Sequence, residues 1–223
     1  MILQNRSLLD QELSELRDNV LRLGSMVESA LDEAIVALYE LNTEKAQQVI
    51  AGDDQLNLVR YQIEEGALRA LATQQPAARD LRTVITAIHV AIELERMGDH
   101  AAGIAQLVRR LINEPPLTMP ARLLKMARRA RQMVRESLDA YVTYDATMAQ
   151  ALIKHDDKVD KHYRKLFQET VLTMQDDSLI RPATYLLWAG HNLERIGDRA
   201  TNIAERVIFM VSGRYVEIDT AVE

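Results

Sequence analysis

The chain has 223 residues, 48% apolar and 27% charged, with a formal net charge of −6, the balance of a folded globular protein rather than a disordered one. The absence of cysteine excludes disulfides, thiolate nucleophiles, zinc fingers and iron–sulfur centres, and the acidic balance argues against nucleic acid, whose binding needs Lys and Arg to neutralise phosphates. Only 8 glycines and 5 prolines leave too few turn signals for a sandwich or barrel, so the abundance of Ala, Leu, Glu, Arg and Met predicts an all-α fold.

In chain order, the pattern predicts six long antiparallel helices over 7–40, 45–72, 78–112, 119–145, 148–175 and 181–212. The first has a seam alternating three and four residues apart: Leu13, Leu16, Val20, Leu23, Val27, Ala30, Ala34, Ala37 and Leu41. The third repeats it at Ala87, Val90, Leu94, Met97, Ala101, Ile104, Val108 and Leu111, and the sixth at Leu186, Ala189, Leu193, Ile196, Ala200, Ile203, Val207 and Met210. Such seams specify helices packed at small crossing angles. Between helices, QQP (74–76) breaks the chain, and Thr147 with Gln150 makes a capping-box pattern. Pro115, Pro116 and Pro120 disfavour helix between the third and fourth elements.

An internal repeat organises these elements. Residues 94–105 read LERMGDHAAGIA and residues 193–204 read LERIGDRATNIA, identical at eight of twelve positions and offset by 99. MVESALD (26–32) matches MVRESLD (133–139), and GDDQLN (52–57) matches HDDKVD (155–160), in the same order. The expected architecture is therefore two tandem, pseudo-symmetric three-helix bundles, residues 1–115 and 116–223.

With Leu94 on the seam, Glu95 and Asp99 point away from the bundle core, four residues apart with Cβ atoms ~5–6 Å from each other. Glu194 and Asp198 repeat the pair in the sixth helix. Like charges at this spacing cost an isolated helix about 0.2–0.5 kcal/mol, so keeping the pair twice implies something that offsets the repulsion. Gly98 and Gly197, mid-helix where Gly costs ~1 kcal/mol, predict close backbone approach beside the acids. The same outer stripe holds Ile85, Ile88 and Ile92, and its counterpart holds Thr184, Leu187 and His191; apolar residues there predict a covering surface. The second helix adds Asp53 and Asn57, and the fifth adds Asp156 and Asp160, each again four apart and beside the groove with a neighbour. Oxygen-only donors suit hard or borderline cations such as Mg, Mn, Ca or iron, in a site expected to be open to solvent. The competing reading is a charged face with local ion pairs, since Arg96 and Arg195 each stand three residues before an Asp.

Other features read as structural or as alternatives. His191 precedes Glu194 by three and is a candidate nitrogen ligand; His100, His155 and His162 read as solvated, and His89 lies on the outer side of the third helix. Arg122, Lys125, Arg128, Arg129, Arg131 and Arg135 form a polar face, solvated or docked on an acidic partner or membrane surface. RDLR (79–82) and Trp188 read as a helix cap and a packing residue. No Glu-x-x-His motif, Gly-rich phosphate loop, GxSxG or HExxH occurs, so nothing points to catalysis. No apolar stretch approaches the ~18 residues of a membrane span and residues 1–10 lack a signal-peptide pattern, which predicts a cytoplasmic protein. A metal-dependent enzyme on a helical scaffold and a purely structural adaptor stand as alternatives to a regulatory binding protein.

The twin motifs LERMGD (94–99) and LERIGD (193–198), with GDDQLN, QQPAARDLR (74–82), MVESALDEAI (26–35) and NIAERVIFMVSGR (202–214), closely resemble the PhoU family of bacterial phosphate-signalling proteins. The resemblance implies two similar three-helix bundles and metal clusters, of iron or zinc among others, bound through paired E(D)xxxD motifs. Position by position, those motifs fall on Glu95 and Asp99, Glu194 and Asp198, and Asp156 and Asp160; Asp53 pairs with Asn57, where the amide departs from the family pattern. It further implies a non-enzymatic negative regulator of phosphate uptake and of the starvation response. Its partners would be the ATPase of the Pst phosphate transporter and a PhoR-type sensor kinase, approached near the inner face of the membrane, and homodimers are common in the family.

Overall fold

The computed structural model describes residues 2–154 and 157–214, and within them the side chains of 8–154 and 159–214. Among the described residues seven α-helices follow one another: α1 (Ile2–Glu40), α2 (Thr43–Gln74), α3 (Arg79–Leu111), α4 (Ala121–Thr143), α5 (Ala146–Ile153), α6 (Asp157–Thr173) and α7 (Ile180–Ser212). A single 3-10 turn, Asp177–Leu179, leads into α7, and no strand occurs among the described residues. The all-α expectation holds, with one correction. The fifth predicted helix is two, α5 and α6: Lys154 closes α5, its N–H donating to the Gln150 carbonyl.

Local chemistry sets the ends. The Asn42 side chain accepts from the Lys45 N–H at 3.0 Å and starts α2, and Gln75 turns left-handed at φ 49° just before Pro76. After Tyr144, left-handed at φ 56°, the Asp145 carboxylate accepts from the N–H groups of Thr147 at 2.8 Å and Met148 at 2.9 Å. Asp145 is thus the N-cap of α5, and the capping box read at Thr147 is not formed. In its extended conformation Asp145 reaches two orphan donors, which leaves Thr147 already inside the first turn.

The seams of α3 and α7 are buried at every predicted position. That of α1 is buried as read at Leu16, Val20, Leu23, Val27, Ala34 and Ala37, but from the fourth turn Leu31 and Leu38, each one position beyond the seam, join it, while Leu41 is 37% exposed. A helix with 3.6 residues per turn drifts about 20° per heptad against a 3.5-residue repeat, so after four turns the leucines one position further along face inward. Helices α1, α2 and α3 pack on one another, and α4, α5 and α6 pack on α7. One continuous apolar cluster runs from Leu16 to Met210 through both halves. Each fully buried Leu or Met in it contributes about 1.5–3 kcal/mol.

Helices α3 and α7 lie antiparallel along their whole length. Arg82 Nε donates to the Met210 carbonyl at 3.2 Å, Arg199 pairs with Glu93 at 3.3 Å, His100 meets Asn192 at 3.0 Å, and Arg181 pairs with Glu114 at 3.1 Å. Under the 99-residue offset Glu93 corresponds to Asn192 and Arg199 to His100. The two central contacts are therefore the same contact seen from either half, a pseudo-two-fold relation. His100 is accordingly not solvated: it sits in the α3–α7 seam, where burial lowers its pKa. His162 is half-buried near Arg122, Lys125 and Lys165, and burial lowers its pKa too; His155 lies outside the described residues. Ile85, Ile88 and Ile92 are half-buried beside the seam. Much of the basic stretch of α4 makes ion pairs: Arg122 with Glu169 of α6, and Arg131 and Arg135 with Asp32 and Glu28 of α1, both at 3.0–3.1 Å.

Candidate metal centre

The acidic residues sit where α2 crosses α3 and where α6 crosses α7. Gly98 makes the first crossing close. A Cβ there would overlap Leu56 Cδ1 and stand 3.7 Å from Asp53 Oδ1, so the absent side chain lets the α2 acids reach the α3 pair. Asp53, Glu95 and Asp99 come near one another as a result: Asp53 lies within the field of Asp99, and Glu95 within that of both. Asn57 does not add its amide nitrogen to them, since it donates to the Asp53 carbonyl at 3.4 Å on its own helix. In the second half Asp160, Glu194 and Asp198 converge in the same way, while Asp156 lies outside the described residues. Close approach is made there at Gly190, where a Cβ would press on Leu166 and Tyr163.

Asp99 is exposed, as the outward projection predicts, but the other carboxylates are more enclosed. The side chains of Glu95 and Glu194 are 18% and 22% exposed, because α2 and α6 lean over them. Burial raises the pKa of Asp53, and the charges of Asp99 and Asp54 raise it further. Glu95 is raised by burial and by Asp99, with Arg60 opposing and Asp53 adding. Glu194 is raised by burial against the His191 hydrogen bond, with Asp160 and Asp198 adding. Asp198 is raised by burial against Arg195, with Asp160 adding. Desolvation and like charge act together in each case.

Basic groups enter both clusters unequally. Arg60 of α2 stands 3.7 Å from Glu95 and also pairs with Glu64. Arg195 donates to Asp198 at 2.7 Å, and His191 Nδ1 lies 3.0 Å from Glu194 Oε2, with the Tyr163 ring beside it. The local ion pair foreseen at Arg195 is therefore present. Arg60 and Tyr163 escaped the sequence reading, although Arg60 lies seven residues after Asp53 and so on the same face of α2. Tyr163 is its counterpart, as the offset between the paired acids of α2 and α6 shows.

Whether the donors suit a cation can be judged from the groups themselves. Asp53 Oδ1 is buried with no hydrogen-bond partner, a costly condition for a carboxylate oxygen, and the surrounding donors are oxygen atoms that fit a hard cation. Among the described residues, however, no three His, Asp or Glu side chains stand close enough to share one ion. The clusters are therefore matched in chemistry and not closed in geometry.

The raised values fix a pH dependence. A carboxyl whose pKa is higher in the folded state binds more protons there than when unfolded, so it costs stability as pH rises above its ordinary value near ~4. Glu95→Gln, which mimics the protonated form, is expected to stabilise the metal-free protein at neutral pH, the gain fading as pH falls into the carboxylate range. Comparing variant and wild type by urea denaturation cancels the opposite trend of the buried histidines. A gain that grows toward acid would show that the Glu95 charge is welcome.

Fold and grooves together define a class: a duplicated all-helical molecule with a half-buried acidic groove in each half. The family model described as the PhoU domain matches twice, over residues 20–108 and 123–207. The chain belongs to the PhoU family, which bears out the resemblance carried by the two LERxGD motifs. It is 35% identical over 216 residues to the phosphate-specific transport system accessory protein PhoU homolog of Clostridium acetobutylicum, covering 96% of this chain and 99% of that protein. The homolog of Pseudomonas aeruginosa is 37% identical, covering 91% and 84%. Among solved structures, PhoU from Pseudomonas aeruginosa matches with a TM-score of 0.86 at 37% identity, covering 92% of this chain and 99% of that one. The phosphate transport system regulatory protein PhoU from Streptococcus pneumoniae matches with a TM-score of 0.88 at 33% identity, covering 94% and 100%. No helix among the described residues is long and apolar enough to cross a membrane.

Proposed function

We propose that this chain is a cytoplasmic, non-catalytic negative regulator of phosphate uptake and of the phosphate-starvation response. It couples the ATPase of a Pst-type phosphate transporter to a PhoR-type sensor kinase, acts as a homodimer, and holds divalent or trivalent cations (iron, zinc, manganese or magnesium) in its acidic grooves. The names of its relatives, accessory and regulatory proteins of phosphate transport, support the regulatory part, since the similarity spans nearly all of both chains. The convergence of Asp53, Glu95 and Asp99, with the buried unpartnered Asp53 Oδ1, is the observation that carries the cation part. When bound, a cation supplies charge neutralisation between two helices. The chain's own residues do the rest: Asp53 and Asp160 present oxygens from α2 and α6, Glu95, Asp99, Glu194 and Asp198 present them from α3 and α7, and Arg60 and Arg195 hold part of the charge without the ion.

The arginine pairs at Glu95 and Asp198 favour a second reading, a purely structural adaptor with an ion-paired face. Co-purification with the transporter ATPase and the kinase, at high and low phosphate, separates the two. Recovery of both partners at high phosphate, lost when Glu95, Asp99, Glu194 and Asp198 are all changed to Ala, is the expected result. Equal recovery with that variant leaves only the adaptor, and recovery of neither partner ends the regulatory reading.

A further inference from the structure

On the turn of α7 that precedes Gly190 and His191, the end of the α3–α7 seam near the inter-half linker carries a feature the regulatory reading does not use. Trp188 is the single tryptophan of the chain, and it is 45% exposed. Its ring lies 5.7 Å from that of Tyr185, and the Arg110 guanidinium stands over both, 5.5 Å from the Trp188 centroid and 5.8 Å from that of Tyr185. Arg181 is held in place by Glu114 at 3.1 Å and by the Tyr185 hydroxyl at 3.5 Å. One cation, Arg110, is thus stacked on an aromatic pair at the surface, and a second, Arg181, is held beside it by its pair with Glu114. Arginines pre-positioned in this way lose little side-chain entropy when they bind a carboxylate.

Through Glu114 the platform adjoins an apolar cleft of about 190 Å³ between the linker and α7, lined by Ile112, Pro115, Leu117 and Leu186. Ile112 is 51% exposed at its rim. On the other side of Arg110 a second, open cleft of about 350 Å³ is bordered by Arg109 and Gln106. An exposed Trp and exposed Arg side chains around a half-buried Tyr, clustered beside an apolar cleft, have the composition of an interface hot spot. Their charge is opposite to that of the protein as a whole, −6. The cleft has room for one aliphatic side chain, and the arginines on either side of the platform fit carboxylates flanking it.

We infer that this platform and cleft dock an acidic peptide segment of a partner protein, with one apolar side chain seated in the linker cleft and carboxylates on Arg110 and Arg181. The site is separate from the acidic grooves and functions in the metal-free protein.

Trp188 is its own reporter. A short peptide with a central leucine flanked by glutamates is titrated into the full chain, with Trp188 emission and, for a fluorescein-labelled copy, anisotropy as readouts. Expected are a saturable blue shift, loss of binding when the glutamates become lysines, and about tenfold weakening when the leucine becomes alanine. Arg110→Glu, on an exposed helix face, is expected to weaken the acidic peptide about tenfold or more and to bind the lysine peptide instead, a reversal that misfolding cannot produce. Overturning results are no change in emission or anisotropy with the acidic peptide, equal binding of the lysine peptide, or a Trp188 shift only with phosphatidylglycerol vesicles. Because the readout needs neither phosphate, metal nor the transporter, its failure leaves the regulatory reading untouched.

Discussion

Titration of the metal-free protein with Mn²⁺, Fe²⁺ or Zn²⁺ is expected to raise its melting temperature by about 5–10 °C once the free ion reaches roughly a hundred times its dissociation constant, since binding only the native state then adds about 2.7 kcal/mol and each kcal/mol moves a domain of this size about 2–4 °C. The physical source is the mutual repulsion and burial that raise the pKa of Asp53, Glu95, Glu194 and Asp198. A cation converts that cost into attraction and gives Asp53 Oδ1 a partner. Protons compete for the same oxygens, so the rise should shrink as pH falls. A variant with Asp53→Asn, Glu95→Gln and Asp99→Asn should keep only the response of the second half, and one with Asp160→Asn, Glu194→Gln and Asp198→Asn only that of the first. The second half starts with Arg195 on Asp198 and His191 on Glu194, so its ion has bound groups to displace and should bind more weakly. A melting temperature unmoved by any of these ions, in protein stripped by chelation, rejects cation binding in both grooves.

Filling the space at Gly98 should do the most damage for the smallest change. Gly98→Val is expected to destabilise the protein by about 1–3 kcal/mol, the range of overpacking costs, because the new atoms meet the Leu56 side-chain methyl, which is buried and must change rotamer or push α2 outward to make room. The outcome also reaches the site: if α2 is pushed off α3, Asp53 leaves Glu95, and the metal-induced rise in melting temperature falls with it. Gly52 is the control. It too lies within a helix, yet nothing stands within 4 Å of its missing Cβ, so Gly52→Ala should gain up to ~1 kcal/mol from helix propensity alone. Denaturant midpoints for the pair decide the matter, and a Gly98→Val protein as stable as wild type would mean that the crossing is not held shut.

Much of this molecule is legible in the sequence because its strongest signals are periodic. The seams of α3 and α7 repeat every seven residues and repeat again 99 residues later, and both are buried as read. What escaped lies between elements. The end of α5 falls at Ile153 and Lys154, residues that a helix tolerates, with no glycine or proline to announce it. Asp145 hides as an N-cap because the left-handed Tyr144 before it is not a residue type that advertises such a turn. The grooves were half-readable: spacing within a helix gives the acid pairs, whereas their enclosure and the approach of Arg60 depend on how α2 leans on α3. Likewise Glu93 and Arg199 are 106 positions apart, and only packing introduces them.

The meeting of α3 with α7 has one more consequence. In a dimer of identical chains, an isologous interface must make every off-axis contact twice in the same form. Tethering both copies in one polypeptide lifts that demand. Here one side of the axis became a carboxylate–guanidinium bond, Glu93 to Arg199, and the other an uncharged amide–imidazole contact, Asn192 to His100. The junction has acquired a direction, so the two grooves it joins are free to diverge into unlike instruments.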